Sequence, residues 1–198
     1  MSDRFGRVLV DTDVCIKLFE YKMLDAMRLV FVGIADEVDI HRFLVEEELV
    51  SGAIRAHIRE LMAEGVLHVL DPDTILDPVE TVLYHATARK FAQVHGVDLS
   101  KSRCEHMGEV LTVALAKTLG IGLLLSDESV LQTEIDHVLN TGLDDLRVFR
   151  MWDNILWIKS HPDCGIRRKD AKIIWLASGY HSEMGKRKAK FDGVWPPN

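Results

Sequence analysis

The chain has little cysteine, and what it has is scattered. Cys15, Cys104 and Cys164 are odd in number, which argues against a disulfide framework, and no Cys-x-x-Cys pair is present to hold zinc. No run of about 18 apolar residues exists, so no transmembrane helix and no membrane partner are expected. The first residues, MSDRFGRVLVDTDV, lack the apolar core and small-residue cleavage site of a secretory leader, so a cytoplasmic protein is expected. There is no P-loop, no Gly-x-Gly-x-x-Gly, no His-Glu-x-x-His, and no Ser or Cys nucleophile beside a base motif. Internal repeats and low-complexity segments are absent too. Enough apolar residues are present, 47% of 198, to build one domain core with a possible appendage.

Residues 105–132, EHMGEVLTVALAKTLGIGLLLSDESVLQ, organise the remainder. Val110, Leu111, Val113, Ala114, Leu115 and Leu119 recur at helical spacing and predict one buried face. Gly120 and Gly122 end that helix. Ile121 to Leu125 is then too short for a buried helix and right for a buried strand. Glu109 thus opens a helix, and Asp127 stands where a strand leaves the sheet.

The other segments repeat this alternation. Arg7–Val10 predicts a strand ending in Asp11-Thr12-Asp13, followed by one helix through about Val30. A β-like piece covers Asp39–Leu44. Glu46, Glu47 and Glu48 open a helix with Leu49, Ile54, Ile58, Leu61 and Met62 as its stripe. Acids in a first turn also suit the helix dipole. Val66–Leu70 predicts a strand. A helix over 78–95 turns Val82, Leu83, Ala86 and Phe91 inward. A helix over 129–140, a strand over Leu146–Trp152 ending at Asp153, and a helix over 166–180 follow. The tail FDGVWPPN has no regular pattern. Alternating strands and helices predict an α/β fold, a three-layer α/β/α sandwich with a mainly parallel sheet. A first domain over 1–153 and a helical, basic extension over 154–198, packed on or beside it, are expected.

Acids cluster at the predicted strand ends and helix starts: Asp11, Asp13, Glu47 or Glu48, Glu109, Asp127 and Glu128. Crowded carboxylates raise one another's pKa unless a cation lies between them. An oxygen-only donor set favours Mg²⁺ or Mn²⁺ over Zn²⁺. Such ions activate water and stabilise charge on a transferring phosphate. Capping of the following helix is the plain structural role for one of Asp11 and Asp13.

In these residues the chain resembles the PIN domain, a nuclease family. Val8-Leu9-Val10-Asp11-Thr12-Asp13 matches its opening strand and acid. Glu48-Leu49-Val50-Ser51-Gly52 matches its Glu-Leu-x-x-Gly context. Gly108-Glu109-Val110-Leu111-Thr112-Val113-Ala114 matches its third acid, and Leu123-Leu124-Leu125-Ser126-Asp127-Glu128 its fourth. The likeness runs over about residues 7–153, in order. It implies metal-dependent RNA cleavage, with Asp11, Glu109 and Asp127 on Mg²⁺ or Mn²⁺. Glu48, or else Glu47, would bind through water or orient the attacking water. Thr12 and Ser126 would hold carboxylates or phosphate, with Asp13 and Glu128 in reserve. Many small members of the family are toxins paired with an antitoxin protein, so RNA, an antitoxin-like partner and a homodimer are the expected partners. Residues 154–198 extend beyond the compact toxins.

The net charge of −7 is unevenly spread. Residues 165–190 hold eight basic and two acidic side chains, +6, which leaves −13 elsewhere. Arg167, Arg168, Lys186, Arg187 and Lys188 in that tail, with Lys101 and Arg103, are candidate phosphate contacts. A solvated helix would give the same charge run. His85, His95, Cys104 and His106 fit no zinc template and read as isolated side chains. Trp152, Trp157, Trp175 and Trp195 read as core or interface residues. Two other functions are open: a degenerate PIN domain that binds RNA or protein without cutting, and a phosphatase of the haloacid-dehalogenase class. The latter also begins with a strand and Asp-x-Asp, although Val14-Cys15 departs from its usual continuation.

Overall fold

Short β-rich apolar runs, each followed by an amphipathic helix, fold into a layered α/β structure. The computed structural model describes residues 4–20, 24–101 and 104–197. The strands are Phe5–Val10 (β1), Ala35–His41 (β2), His68–Leu70 (β3), Leu123–Leu125 (β4) and Arg147–Phe149 (β5). All pair in parallel, in the order β3-β2-β1-β4-β5. The chain therefore builds outward from β1 to β3, then crosses to the other side of β1. That crossing makes the β1/β4 boundary the topological switch point, where open parallel sheets form clefts at their carboxyl ends.

The helices are Thr12–Phe19 (α1), Ala26–Ile34 (α2), Gly52–Ala63 (α3), Pro72–Ile75 (α4), Pro78–His95 (α5), Met107–Thr118 (α6), Leu131–Val138 (α7), Met151–Ser160 (α8), Arg168–Ala177 (α9) and Met184–Val194 (α10). Side-chain alternation along the strands divides the core. Val8, Val10, Val38, Ile40 and Leu125 face α1, α2, α3, α8 and α9. Leu9, Leu70 and Leu124 face α5, α6 and α7. The expected three-layer α/β/α sandwich is thus observed, with a sheet that is parallel throughout.

Several elements differ from expectation. The single helix through Val30 is two helices, because the Asp25 carboxylate accepts from Arg28 N–H and starts α2 afresh. The β-like piece at Asp39–Leu44 is a longer strand that begins at Ala35, in register with Phe5. Glu46, Glu47 and Glu48 do not open α3. They lie in a wide π-helical turn, Leu44–Glu48, closed by Leu49 N–H on the Leu44 carbonyl at 2.9 Å. Burial of both Leu44 and Leu49 sets this turn. On α5 the inward residues are Tyr84, Ala88, Phe91 and Ala92, whereas Val82 and Leu83 are 68% and 49% exposed and Ala86 is exposed too. The last strand stops at Phe149, since the Asp153 carboxylate accepts from Arg150 N–H and starts α8. The tail residues Phe191–Val194 complete α10, with Phe191 fully buried.

The boundary expected after residue 153 falls within α8. Ile155, Ile158, Ala171, Ile174, Trp175 and Phe191 join the same core as β1 and β2. Among the described residues no helix is long and apolar enough to cross a membrane.

Candidate active site at the carboxyl edge of the sheet

β1 delivers Asp11 to the switch point. Its N–H still pairs with the Leu125 carbonyl at 2.9 Å, so it is tied to β4 as the chain leaves the sheet. Its carboxylate caps α1: Oδ1 accepts from Thr12 N–H at 2.7 Å. Oδ2 accepts from Ser126 Oγ at 3.0 Å, and Ser126 is fully buried. Asp11 is itself buried. Burial first, then the Asp13 and Glu109 carboxylates, hold its pKa well above the ordinary range, against the bonds from Thr12 and Ser126. The expected capping role and a place among clustered acids therefore fall on the same residue.

Thr12 links Asp11 to the next element. Its hydroxyl donates to Glu48 Oε2 at 2.9 Å. Of the three consecutive glutamates, Glu48 is thus the one that reaches Asp11's neighbourhood. Glu46 pairs with Arg42 at 2.9 Å, and Glu47 lines an adjoining cleft. Glu48 and Glu109 line one opening together with Cys104, Glu105 and His106. Glu109 is in the first turn of α6, with His106 Nδ1 3.4 Å from its Oε1. Gly108 makes this approach possible: a Cβ there would overlap the Glu48 carboxylate and Leu44.

Asp127 comes from β4 but is turned to other work. Oδ2 accepts from Lys17 Nζ at 2.8 Å, and Oδ1 from Met151 N–H at 3.2 Å at the start of α8. Arg150 lies 3.6 Å from Oδ1. Asp127 N–H donates to Asp13 Oδ2 at 3.0 Å. Lys17 also lies 3.5 Å from Asp13, so one ammonium serves two carboxylates. Asp13 Oδ1 is buried without a hydrogen-bond partner among the described residues. Burial raises the Asp13 pKa; Lys17 opposes it. Glu128 caps the following turn, its Oε1 accepting from Ser129 N–H at 2.8 Å. Cys15 is fully buried, and burial, Asp11 and Asp13 all push its thiol up, so Cys15 supplies no thiolate nucleophile.

The expected metal set is therefore gathered at one edge but not closed around one point. No three of these acids bring ligand atoms within 4.8 Å of one another among the described residues. The group that does is Glu37, Asp39 and His68 on the α5/α6 face of the sheet. There Arg7 Nε lies 2.6 Å from Asp39 Oδ2 and 3.6 Å from Glu37 Oε1, so that cluster carries its own cation. At the switch point the oxygen donors suit a hard cation: the buried Asp11 and half-buried Asp13 carboxylates have raised pKa values, and Asp13 Oδ1 has no hydrogen-bond partner among the described residues. With the acids this far apart, much of such an ion's shell would be water, as Mg²⁺ prefers.

The basic candidates divide. Arg168 donates to Asp192 and to the Trp195 carbonyl, both at 2.8 Å. Arg167 pairs with Asp170 at 2.9 Å. Arg187 lies flat on Trp175, 3.5 Å from the ring centre, and donates to the Trp175 carbonyl and Ser178 Oγ. Burial pulls its pKa down, and the Asp127 carboxylate opposes that, so α10 lies within electrostatic reach of the acidic edge. Lys186 and Lys188 are exposed, as is Lys101. Arg103 lies outside the described residues. Trp175 is buried and Trp152 packs on it, 4.6 Å between centres, as the core reading expects. Lys17 joins the acid cluster without any motif that singles it out; its i,i+4 spacing from Asp13 on a helix start is the one sequence signal for it.

No family model, curated protein or solved structure matches the chain.

Proposed function

We propose that the carboxyl edge at the β1/β4 switch point is a Mg²⁺- or Mn²⁺-dependent site for hydrolysing RNA phosphodiester bonds, as the PIN-domain likeness implies. One observation carries this reading. Three separate elements bring Asp11, Glu48 and Glu109 to the switch point, where burial first, and then the Asp13 and Glu109 carboxylates, hold the Asp11 pKa up. Such crowding costs stability unless a cation or proton relieves it, and it recurs at functional sites.

Asp11 and Glu109 would hold the ion directly, and a bound ion would supply Lewis-acid stabilisation of phosphate charge. Glu48, fixed by Thr12, would orient the attacking water. That water's oxygen joins phosphorus, the P–O bond to the leaving ribose oxygen breaks, and a proton ends on that oxygen. Asp127 acts as a positioning residue through Lys17 and Met151 unless it swings inward. A toxin-type partnership with an antitoxin-like protein, and a homodimer, belong to the same proposal.

A second reading has its own observation: Lys17 already neutralises Asp13 and Asp127. That arrangement favours a domain that binds RNA or protein without cutting it. The phosphatase alternative fares worse, because Val14-Cys15 after Asp11-Thr12-Asp13 departs from that class's usual continuation. The deciding experiment is RNA cleavage with and without Mn²⁺, using wild type, Asp11→Asn and Asp127→Asn. Metal-dependent cleavage lost in Asp11→Asn supports the nuclease. RNA binding without cleavage under any metal moves the assignment to the binding module.

A further inference from the structure

Beside the acidic edge, at the carboxyl ends of β2 and β3, is a cleft of about 470 Å³ that the reading above leaves unused. Its floor is built from two buried polar side chains, His41 and Tyr84, 4% and 5% exposed. The hydrogen bonds fix their protons. Phe43 N–H donates to His41 Nδ1 at 3.0 Å, so that nitrogen carries no proton. Burial pulls the His41 pKa to about 4, so the ring is neutral at neutral pH and its proton is on Nε2. Nε2–H therefore donates to the Tyr84 hydroxyl oxygen, 3.0 Å away. The hydroxyl's own proton then has no acceptor among the described residues and needs one from whatever fills the cleft.

The walls narrow the occupant. Leu99, Met107 and Leu111 supply an apolar side suited to a flat ring. Arg42 is bound to Glu46 and Asp71, which leaves Glu47, Asp73 and Lys101 as the charges facing in. The cleft is acidic on balance, so a phosphate is disfavoured and an amino group is favoured. Asp73 is exposed, and its carboxylate accepts no hydrogen bond from a described residue; it is close enough to raise the Tyr84 phenol's pKa, after burial.

We propose that this cleft receives one amino-bearing nucleobase of single-stranded RNA, adenine or cytosine. Tyr84 donates to the ring nitrogen beside the exocyclic amine, and Asp73 accepts from that amine. Both bases offer this acceptor and donor pair side by side on the edge away from the sugar; guanine offers it only at N3, beside the glycosidic bond, and uracil and hypoxanthine do not offer it. Glu47 and Met107 line the cleft and are chain neighbours of Glu48 and Gly108, so a base held here would keep its phosphodiester near the acidic edge. The choice of RNA as the source rests on the nuclease reading; the hydrogen-bond pattern does not.

The test is nucleoside binding to the full chain in EDTA, followed by NMR titration with adenosine, cytidine, inosine and uridine. Adenosine and cytidine are expected to bind at least about fivefold tighter than the other two, and Tyr84→Phe to weaken them about 5- to 20-fold. Asp73→Ala, an exposed change that leaves folding intact and removes the acceptor, should erase the preference. Absence of saturable binding to wild type overturns the proposal, and so do unaltered affinities in Asp73→Ala. Nucleoside binding in a protein that never cuts RNA keeps the cleft and removes the nuclease. Metal-dependent cleavage without nucleoside binding does the reverse.

Discussion

At neutral pH the Asp13 and Asp127 carboxylates share one cation, the Lys17 ammonium. Burial works against that charge, but the Asp127 hydrogen bond and the Asp13 charge outweigh it and hold the lysine pKa above its ordinary value. Lys17→Met should therefore leave Asp13 without its cation and Asp127 with Arg150 alone. A loss of about 1–2 kcal/mol is expected for this half-buried pair, together with a larger rise in melting temperature on adding Mn²⁺, because the added ion takes over the missing charge. Equal melting temperatures and equal Mn²⁺ responses in the two proteins would remove Lys17 from the charge balance. His41 gives a pH signature of the opposite kind from its acidic neighbours. Its folded pKa is depressed to about 4, below an unfolded value near 6.5. The unfolded chain then binds the extra proton between those values, so His41's contribution is complete above about pH 6.5 and is lost as pH falls toward 4, by up to about 3 kcal/mol. Asp11 and Asp13, with raised pKa values, become less unfavourable as pH falls through the same region. The difference between wild type and His41→Gln in denaturant melts from pH 7 to pH 4 isolates the histidine. A constant difference across that range refutes it.

The π-helical turn and the start of α6 meet at Gly108, and the meeting decides where Glu48 points. In Gly108→Ala the new methyl strikes the flexible ends of Glu48 and Leu44, not backbone. Helix propensity gains about 1 kcal/mol from the exchange, which offsets much of the overlap, so stability should change little. Glu48, however, must leave Thr12. The variant is expected to melt near wild type yet to match Glu48→Gln in RNA cleavage and Mn²⁺ response. Full activity in Gly108→Ala would place Glu48 outside the site. This packing bears on what a sequence can reveal. The strand ends were legible, because Val8-Leu9-Val10 runs into Asp11 and Leu123-Leu124-Leu125 into Ser126-Asp127. The helix face of α6 was legible from its spacing. The width of the Leu44–Glu48 turn was not, since three glutamates ahead of Leu49 look like any helix start, and only burial of both leucines selects the wider turn. On α5, Val82 and Leu83 fit an apolar stripe as well as Tyr84 and Ala88 do. Only the partner helix α6 and the sheet decide which stripe turns in, so the Tyr84 cleft stayed hidden.

Over the whole molecule, charge is uneven: residues 165–190 sum to +6 and the rest of the chain, which includes the acidic sheet edge, to −13. The basic segment and that edge are not remote: α9 and α10 belong to the core around β1, and Arg187 is within the field of Asp127. The basic residues nevertheless do different jobs. Arg187 gives its guanidinium to Trp175 and Ser178, and Arg168 pairs with Asp192. These hold α10 on α9. Lys186 and Lys188 project into solvent from the same helix. Arg187→Met should thus cost roughly 2–3 kcal/mol through lost hydrogen bonds and stacking, visible as a lower denaturation midpoint. Lys186→Glu with Lys188→Glu should leave that midpoint within about 0.5 kcal/mol of wild type. If RNA runs from the acidic edge across α10, the double lysine variant should bind RNA more weakly. Its affinity should also fall less steeply with salt, by up to about two counterions' worth of slope, because fewer phosphates are neutralised. A double variant with unaltered affinity and slope would show that RNA leaves the edge by another route. Lys101, on the rim of the Tyr84 cleft, would then be the first cation to reverse, since a base held by Tyr84 would carry its neighbouring phosphates past it.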